Sequence, residues 1–180
     1  MKQFVALVAV VLALVAAPAS AQETRKNLQL FNDVAKAVNR SVYFTIFDDV
    51  SAEVDNGTVT LQGRVTQPYK MNDIVKQVTK VDGVRQLVNH IVVLPVSGFD
   101  DELRFRIARA IYGNSNFWSY GASANPSIHI VVEHGRVTLT GVVQSEVDRM
   151  LARSLATIPG TMSVKNELRT VAELRDAPEI

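Results

Sequence analysis

The sequence predicts an α+β fold: two small αββαβ sandwich domains in tandem, each with a three-stranded sheet packed on two helices. Three observations carry that prediction. First, the stretch at residues 50–65, VSAEVDNGTVTLQGRV, recurs without gaps at residues 128–143 as IHIVVEHGRVTLTGVV. Second, both copies alternate apolar and polar residues on either side of a polar-Gly pair, the pattern of a half-buried β-hairpin. A slip of one residue would expose every valine and leucine, so one side of each hairpin faces a core. Third, each hairpin is preceded by one segment of helical periodicity and followed by another, and the same order of elements occurs twice.

The chain opens with a segment that stands apart from this repeat. Lys2 gives a positive start, residues 4–17 are an apolar run without a charge, and Pro18 precedes Ala19-Ser20-Ala21, an A-x-A cleavage signature. Residues 1–21 therefore read as a secretory signal peptide cleaved after Ala21, with an apolar run too short to span a bilayer comfortably. With no cysteine at the junction, a lipoprotein anchor is not expected. Removal of Lys2 with this leader leaves 18 basic against 18 acidic side chains. That balance argues against nucleic acid as a partner, which would demand a surplus of lysine and arginine on one face. The absence of any cysteine excludes disulfides, zinc-thiolate sites and cysteine nucleophiles.

The first domain is read over residues 22–95. Residues 22–26 are polar and expected to fray, and residues 28–39 form a helix with Leu30, Val34, Ala35 and Val38 at helical spacing. An aromatic connection with Tyr43, Phe44 and Phe47 leads into the first hairpin. Thr66 is a candidate N-cap with Pro68 tolerated in the first turn. The helix it opens runs to about Thr79 and puts Ile74, Val75 and Val78 on one face. Asp82-Gly83 ends it, and residues 84–94 are a third strand.

Residues 96–99 are read as a linker and residues 100–172 as the second domain, each domain having about 70 residues, small for an independent core. Asp100 or Asp101 opens a helix favourably for its dipole, with Leu103, Ile107 and Ile111 in one stripe and Gly113 at its end. A second aromatic connection, with Phe117, Trp118 and Tyr120, is five residues longer between matching apolar positions than the first. After the hairpin, Ser145 to Asp148 is a capping-box-like helix start. Val147, Met150, Leu151 and Leu155 are expected to line that helix's inner face. Pro159-Gly160 stops it, residues 162–171 form the last strand, and residues 173–180 are read as a loose charged tail.

The recurring residues have structural explanations. Gly57 and Gly135 suit the positive φ of two-residue hairpin turns. Gly63 and Gly141 are expected to permit the strand-to-helix turn, Gly83 and Gly160 to terminate helices, and Asn89 and Asn166 to hydrogen-bond neighbouring backbone. Together, an apolar strand, a polar-Gly turn, V-T-L-x-G, a helix and a closing G-V-x-x-V-x-N, with Thr161 in place of the first valine in the second copy, resemble the BON domain of bacterial envelope proteins. The motifs are Asn56-Gly57-Thr58-Val59-Thr60-Leu61-Gln62-Gly63 with Gly83 to Asn89, and His134-Gly135-Arg136-Val137-Thr138-Leu139-Thr140-Gly141 with Gly160 to Asn166. The resemblance covers nearly all of the chain after the leader. It implies a periplasmic location, an association with phospholipid membranes, envelope integrity and stress, and no catalytic chemistry or cofactor.

No enzyme signature contradicts that implication. His129 and His134 would point to opposite faces of a strand and have no third ligand indicated, so no metal is expected. The neighbouring pairs Asp48-Asp49 and Asp100-Asp101 read as turn and helix-start residues rather than as an acid-base pair. No G-x-S-x-G, H-E-x-x-H, P-loop or dinucleotide fingerprint is present. The candidate contact set is Phe117, Trp118 and Tyr120 with Arg104, Arg106 and Arg109 on the neighbouring helix. These aromatics either cap the open ends of two small cores or meet a lipid or protein surface, with the arginines reaching headgroups. Two functions are carried forward: a phospholipid-surface or envelope-associated module, and a protein-interaction or chaperone-like module for exported proteins.

Overall fold

The computed structural model describes residues 19–123 and 125–176. The apolar run of the expected signal peptide lies outside the described residues. From Ala19 the chain is helical through α1 (Ala19–Asn39), so residues 22–26, expected to fray, continue that helix. Among the described residues no helix is long and apolar enough to cross a membrane.

The first unit is α1, β1 (Asp49–Asp55), β2 (Thr58–Val65), α2 (Pro68–Val78) and β3 (Gln86–Val93), with sheet order β1-β2-β3. β1 and β2 form the antiparallel hairpin, while β3 returns through α2 to lie parallel to β2. Such a parallel return demands a crossover helix, which covers one sheet face. Val59, Leu61 and Val65 on alternate positions of β2 meet Leu30, Val34 and Val38 of α1 and Ile74 and Val78 of α2 in one core. Ser41 Oγ, just past α1, donates to Asp73 of α2 at 2.6 Å and ties the helices together.

The second unit repeats the plan with α3 (Gly98–Tyr112), β4 (Ile128–Glu133), β5 (Arg136–Val143), α5 (Glu146–Ala156) and β6 (Ser163–Asn166). Its order is β4-β5-β6, again antiparallel then parallel. Gly98 and Phe99 of the expected linker already belong to α3, whose cap is Ser97. The longer connection contains a 3-10 turn (Ser115–Phe117) and the one-turn helix α4 (Trp118–Gly121). The expected last strand is split: β7 (Arg169–Thr170) pairs separately with β5. The tail read as loose continues as helix α6 (Val171–Asp176). Glu173 fixes its start, accepting from the Thr170 N–H at 2.7 Å and pairing with Arg149 at 2.8 Å.

Several expected roles change. The residue before α2 is Gln67, without a side-chain cap, and Thr66 instead donates to Asp48. On α5 the buried positions are Ala152 and Ala156, with Leu151 and Leu155 half-buried, while Val147 and Met150 are 65% and 58% exposed. Gly63 and Gly141 lie inside β2 and β5, at φ +135° and +110°. A Cβ there would stand 2.1 Å from Asp49 O or 1.8 Å from Ser127 O, so close strand approach, not a helix turn, demands glycine. Gly83 and Gly160 lie several residues past their helices, at φ +93° and +99°, in the turns into β3 and β6. The hairpin turns are as expected, with Asn56-Gly57 at φ 48° and 80° and His134-Gly135 at 51° and 71°, both positions left-handed as a type I′ turn requires.

Candidate binding surfaces

The first aromatic connection is spent on joining the two units. Phe47 packs against the second core and meets Phe105 of α3 edge-on, with centroids 5.1 Å apart. Ile46 O accepts from Ile130 N of β4 at 2.7 Å, one strand-like bond to the edge of the second sheet. Phe44 lies 5.3 Å from the His129 ring, whose Nδ1 is 2.6 Å from Asp48 O. A carbonyl only accepts, so that nitrogen carries a proton. Arg64 and Glu133 add an exposed pair at 3.8 Å. Tyr43 stands apart, half exposed and edge-on to Tyr69 at 5.2 Å.

Asp48, read from the sequence as a turn residue, is fully buried. Its carboxylate accepts from Thr45 N and Oγ1, from Thr66 N and Oγ1, and from Lys70 Nζ at 2.6 Å. The unit thereby closes the joint between its aromatic connection and the start of α2 around one saturated ion pair. The second unit closes the same joint differently. Gln144, the repeat counterpart of Thr66, gives its N–H to Tyr120 Oη at 2.7 Å, and that hydroxyl donates to Asp148, the counterpart of Lys70, at 2.8 Å. Tyr120 is accordingly buried, and burial with the neighbouring carboxylate raises its pKa above the ordinary value. Spacing in the sequence did not signal this hub, because the partners of Asp48 come from distant parts of the chain.

Phe117 is fully buried in the second core, so two of the three aromatics in this segment cap the core. Trp118 is different, 69% exposed on α4. The expected arginines also separate. Arg104 is buried, donating to Val132 O at 2.6 Å and pairing with Asp101, and it cannot reach a headgroup. Arg106 donates to Pro159 O at 2.9 Å. Arg109 is exposed and has no ion pair among the described residues. The structure therefore leaves Trp118 and Arg109 of that set turned outward. Val147 and Met150, expected on the inner face of α5, join the exposed apolar surface instead.

Asn89 and Asn166 do hydrogen-bond backbone: Asn89 Oδ1 accepts from Ile91 N at 3.0 Å, and Asn166 donates to Arg149 O at 2.8 Å. Tyr112 of α3 donates to Ile128 O at 2.5 Å, and burial pushes its pKa up to about 12. His134 sits in the hairpin turn rather than on a strand, so its relation to His129 is not the face alternation expected.

The BON domain model matches residues 30–95 and 100–172, both repeat units. No curated protein matches the chain significantly. Among solved structures, the C-terminal domain of CdsD, a structural protein of the type III secretion system of Chlamydia trachomatis, aligns at 13% identity and a TM-score of 0.32. That alignment covers 78% of this chain and 65% of that one, just under two thirds of its length. A second CdsD structure aligns at 14% identity and a TM-score of 0.29, covering 83% and 98% of the two chains.

Proposed function

The chain belongs to the BON domain family, and from that membership we propose that it is a non-enzymatic periplasmic module that engages phospholipid surfaces in support of envelope integrity under stress. BON domains are associated with membranes and phospholipids, and two of them make up most of this chain. The observation that carries the reading is Trp118. The inserted segment buries Phe117 and Tyr120 yet leaves the indole between them in water. Holding a large apolar ring in solvent forgoes about 2 kcal/mol of burial, which a bilayer interface returns. Exposed Arg109 supplies a cation for anionic headgroups, and Val147 and Met150 add apolar surface in the same unit.

Trp118 is the single tryptophan of the chain, so its fluorescence reports on this site alone. Mixed with phosphatidylglycerol-containing vesicles at low salt, the protein is expected to co-sediment, with tryptophan emission moving several nanometres to the blue. Trp118→Ala should weaken sedimentation by roughly tenfold, about 1.4 kcal/mol. A protein that stays in the supernatant with unchanged emission overturns the proposal. The open edge of β3, beyond which no strand of the first sheet lies among the described residues, supports the second reading, capture of exported protein segments by strand addition. Reproducible partners from a periplasmic extract, without vesicle binding, would favour it.

A further inference from the structure

In the second unit the two N–H groups of the hairpin turn are held by a buried carboxylate: Asp100 accepts from His134 N and Gly135 N, each at 2.8 Å. The first unit has the same turn in the same backbone conformation, and among the described residues the Asn56 and Gly57 N–H groups meet no acceptor. The two sites can be superposed residue by residue. A Cβ on Gly83 would meet Leu30 at 3.5 Å, and one on Gly160 would meet Leu103 at 3.8 Å, so Leu30 and Leu103 correspond. One helical turn earlier, Asn27 then stands where the second unit has Asp100, and Lys26 where it has Phe99. Likewise Arg85 N donates to Gly57 O and Met162 N to Gly135 O, both at 2.8 Å, so Arg85 corresponds to Met162.

At three corresponding positions, then, the first unit has lost a carboxylate and gained two cations, with an amide where the carboxylate was. It has also lost part of the cover. Phe99 lies 3.2 Å from the Cβ position of Gly160, whereas only Leu30 approaches that of Gly83; over the turn glycine, Arg85 lies as close as Met162 does, 3.0 Å in each unit. A cleft of about 690 Å3 opens beside the first unit's turn. We propose that this cleft binds the free C-terminal carboxylate of a short peptide, seated on the Asn56 and Gly57 N–H groups beside Arg85 and Lys26, as Asp100 is seated in the second unit.

Charge selects the ligand class. Lys26 and Arg85 form no ion pair among the described residues. Glu23 and Asp82 also line the cleft, and Asp33 is neutralised by Lys36 at 3.1 Å. Two cations against two free acids cancel, so the cleft as a whole does not draw anions and phosphate-rich ligands are disfavoured; a single carboxylate is held locally, by the turn N–H groups with Lys26 and Arg85 beside them. Gln22, Gln29 and Asn27 provide matching amide donors and acceptors along the wall.

The test is a titration of the 15N-labelled protein with acetyl-Ala-Ala as the free acid and as its amide, followed by amide shifts, with no lipid present. The acid should move the Asn56 and Gly57 signals saturably at millimolar concentration, and the amide should bind at least roughly tenfold more weakly. Asn27→Asp rebuilds the second unit's arrangement and should abolish the response while the melting temperature is kept or raised, showing a seated carboxylate rather than a damaged fold. Arg85→Met should weaken the response. No shift with the acid, equal shifts with acid and amide, or an unchanged response in a folded Asn27→Asp variant each overturns the proposal. Shifts produced by dimethyl phosphate but not by the acid overturn it as well. The vesicle experiment on Trp118 is independent of all these outcomes.

Discussion

The backbone N–H that leads into the second helix of each unit is met by Asp48 in one and by Tyr120 in the other. The partner in the helix changes sign with it, Lys70 against Asp148. The Asp48 carboxylate takes five donors and, being buried, needs a cation, while the Tyr120 hydroxyl accepts one bond, donates one and needs an acceptor. Asp48→Asn leaves the buried Lys70 ammonium without its counter-charge and should cost about 3–5 kcal/mol in urea unfolding. Adding Lys70→Met to that variant should recover part of the loss, because the orphaned charge is the larger penalty. If the double variant is as unstable as the sum of its singles, the ion pair is not the origin of the effect. Neither hub could be read from the sequence. Asp48 looks like a turn residue beside Asp49, and its partners 18 and 22 residues away carry no local signal.

At the level of the elements, hairpins were the most legible because a period of two and a left-handed turn leave clear marks, and the stripes of α1 and α3 were legible for the same kind of reason. α5 was not. The helix approaches its sheet through Ala152 and Ala156, so its larger side chains Val147 and Met150 fall outside, and reading the bulky stripe as the inner one inverts part of the face. Gly63 and Gly141 were placed correctly as constraints but assigned the wrong one, since a close approach of strand to strand has no sequence mark beyond the glycine itself. The contact of α3 with β4 is open to a pH test. Burial favours the neutral Tyr112 hydroxyl, so its pKa of about 12 stands above the ordinary tyrosine value of 10.0. A group raised in the fold contributes stability that is complete below the unfolded pKa and is lost as pH rises through the folded one. Stability should therefore fall between about pH 10 and 12, in step with late tyrosinate absorbance. Tyr112→Phe should be less stable at neutral pH by about 1 kcal/mol, for the lost bond to Ile128, yet lose less across that alkaline range. An unchanged alkaline slope in the variant would assign the loss to another group.

Across the whole molecule, the repeat counted the units, but nothing in it said how they meet. The meeting is made by the segment that periodicity leaves unexplained: in the connection before β1, Ile46 and Phe47 reach β4 and α3 of the second unit, while Phe44 packs on the first core and touches His129 of β4. One consequence is that β4, an edge strand, has a neighbour for part of its length, which removes one site for unwanted strand pairing. Another is that two cores, each small for independence, share apolar contact through Phe47. Coupling of that kind should appear as a single calorimetric unfolding transition for the parent protein. Phe47→Ala removes a half-buried ring and should destabilise the junction by about 2–3 kcal/mol, somewhat less than for a fully buried phenylalanine. The transition should then separate into two, with the tryptophan signal of Trp118 following only the one that belongs to the second unit. Two separate transitions already in the parent, with Phe47→Ala shifting just one of them, would mean that the junction is contact without coupling. The units would then stand on their own cores.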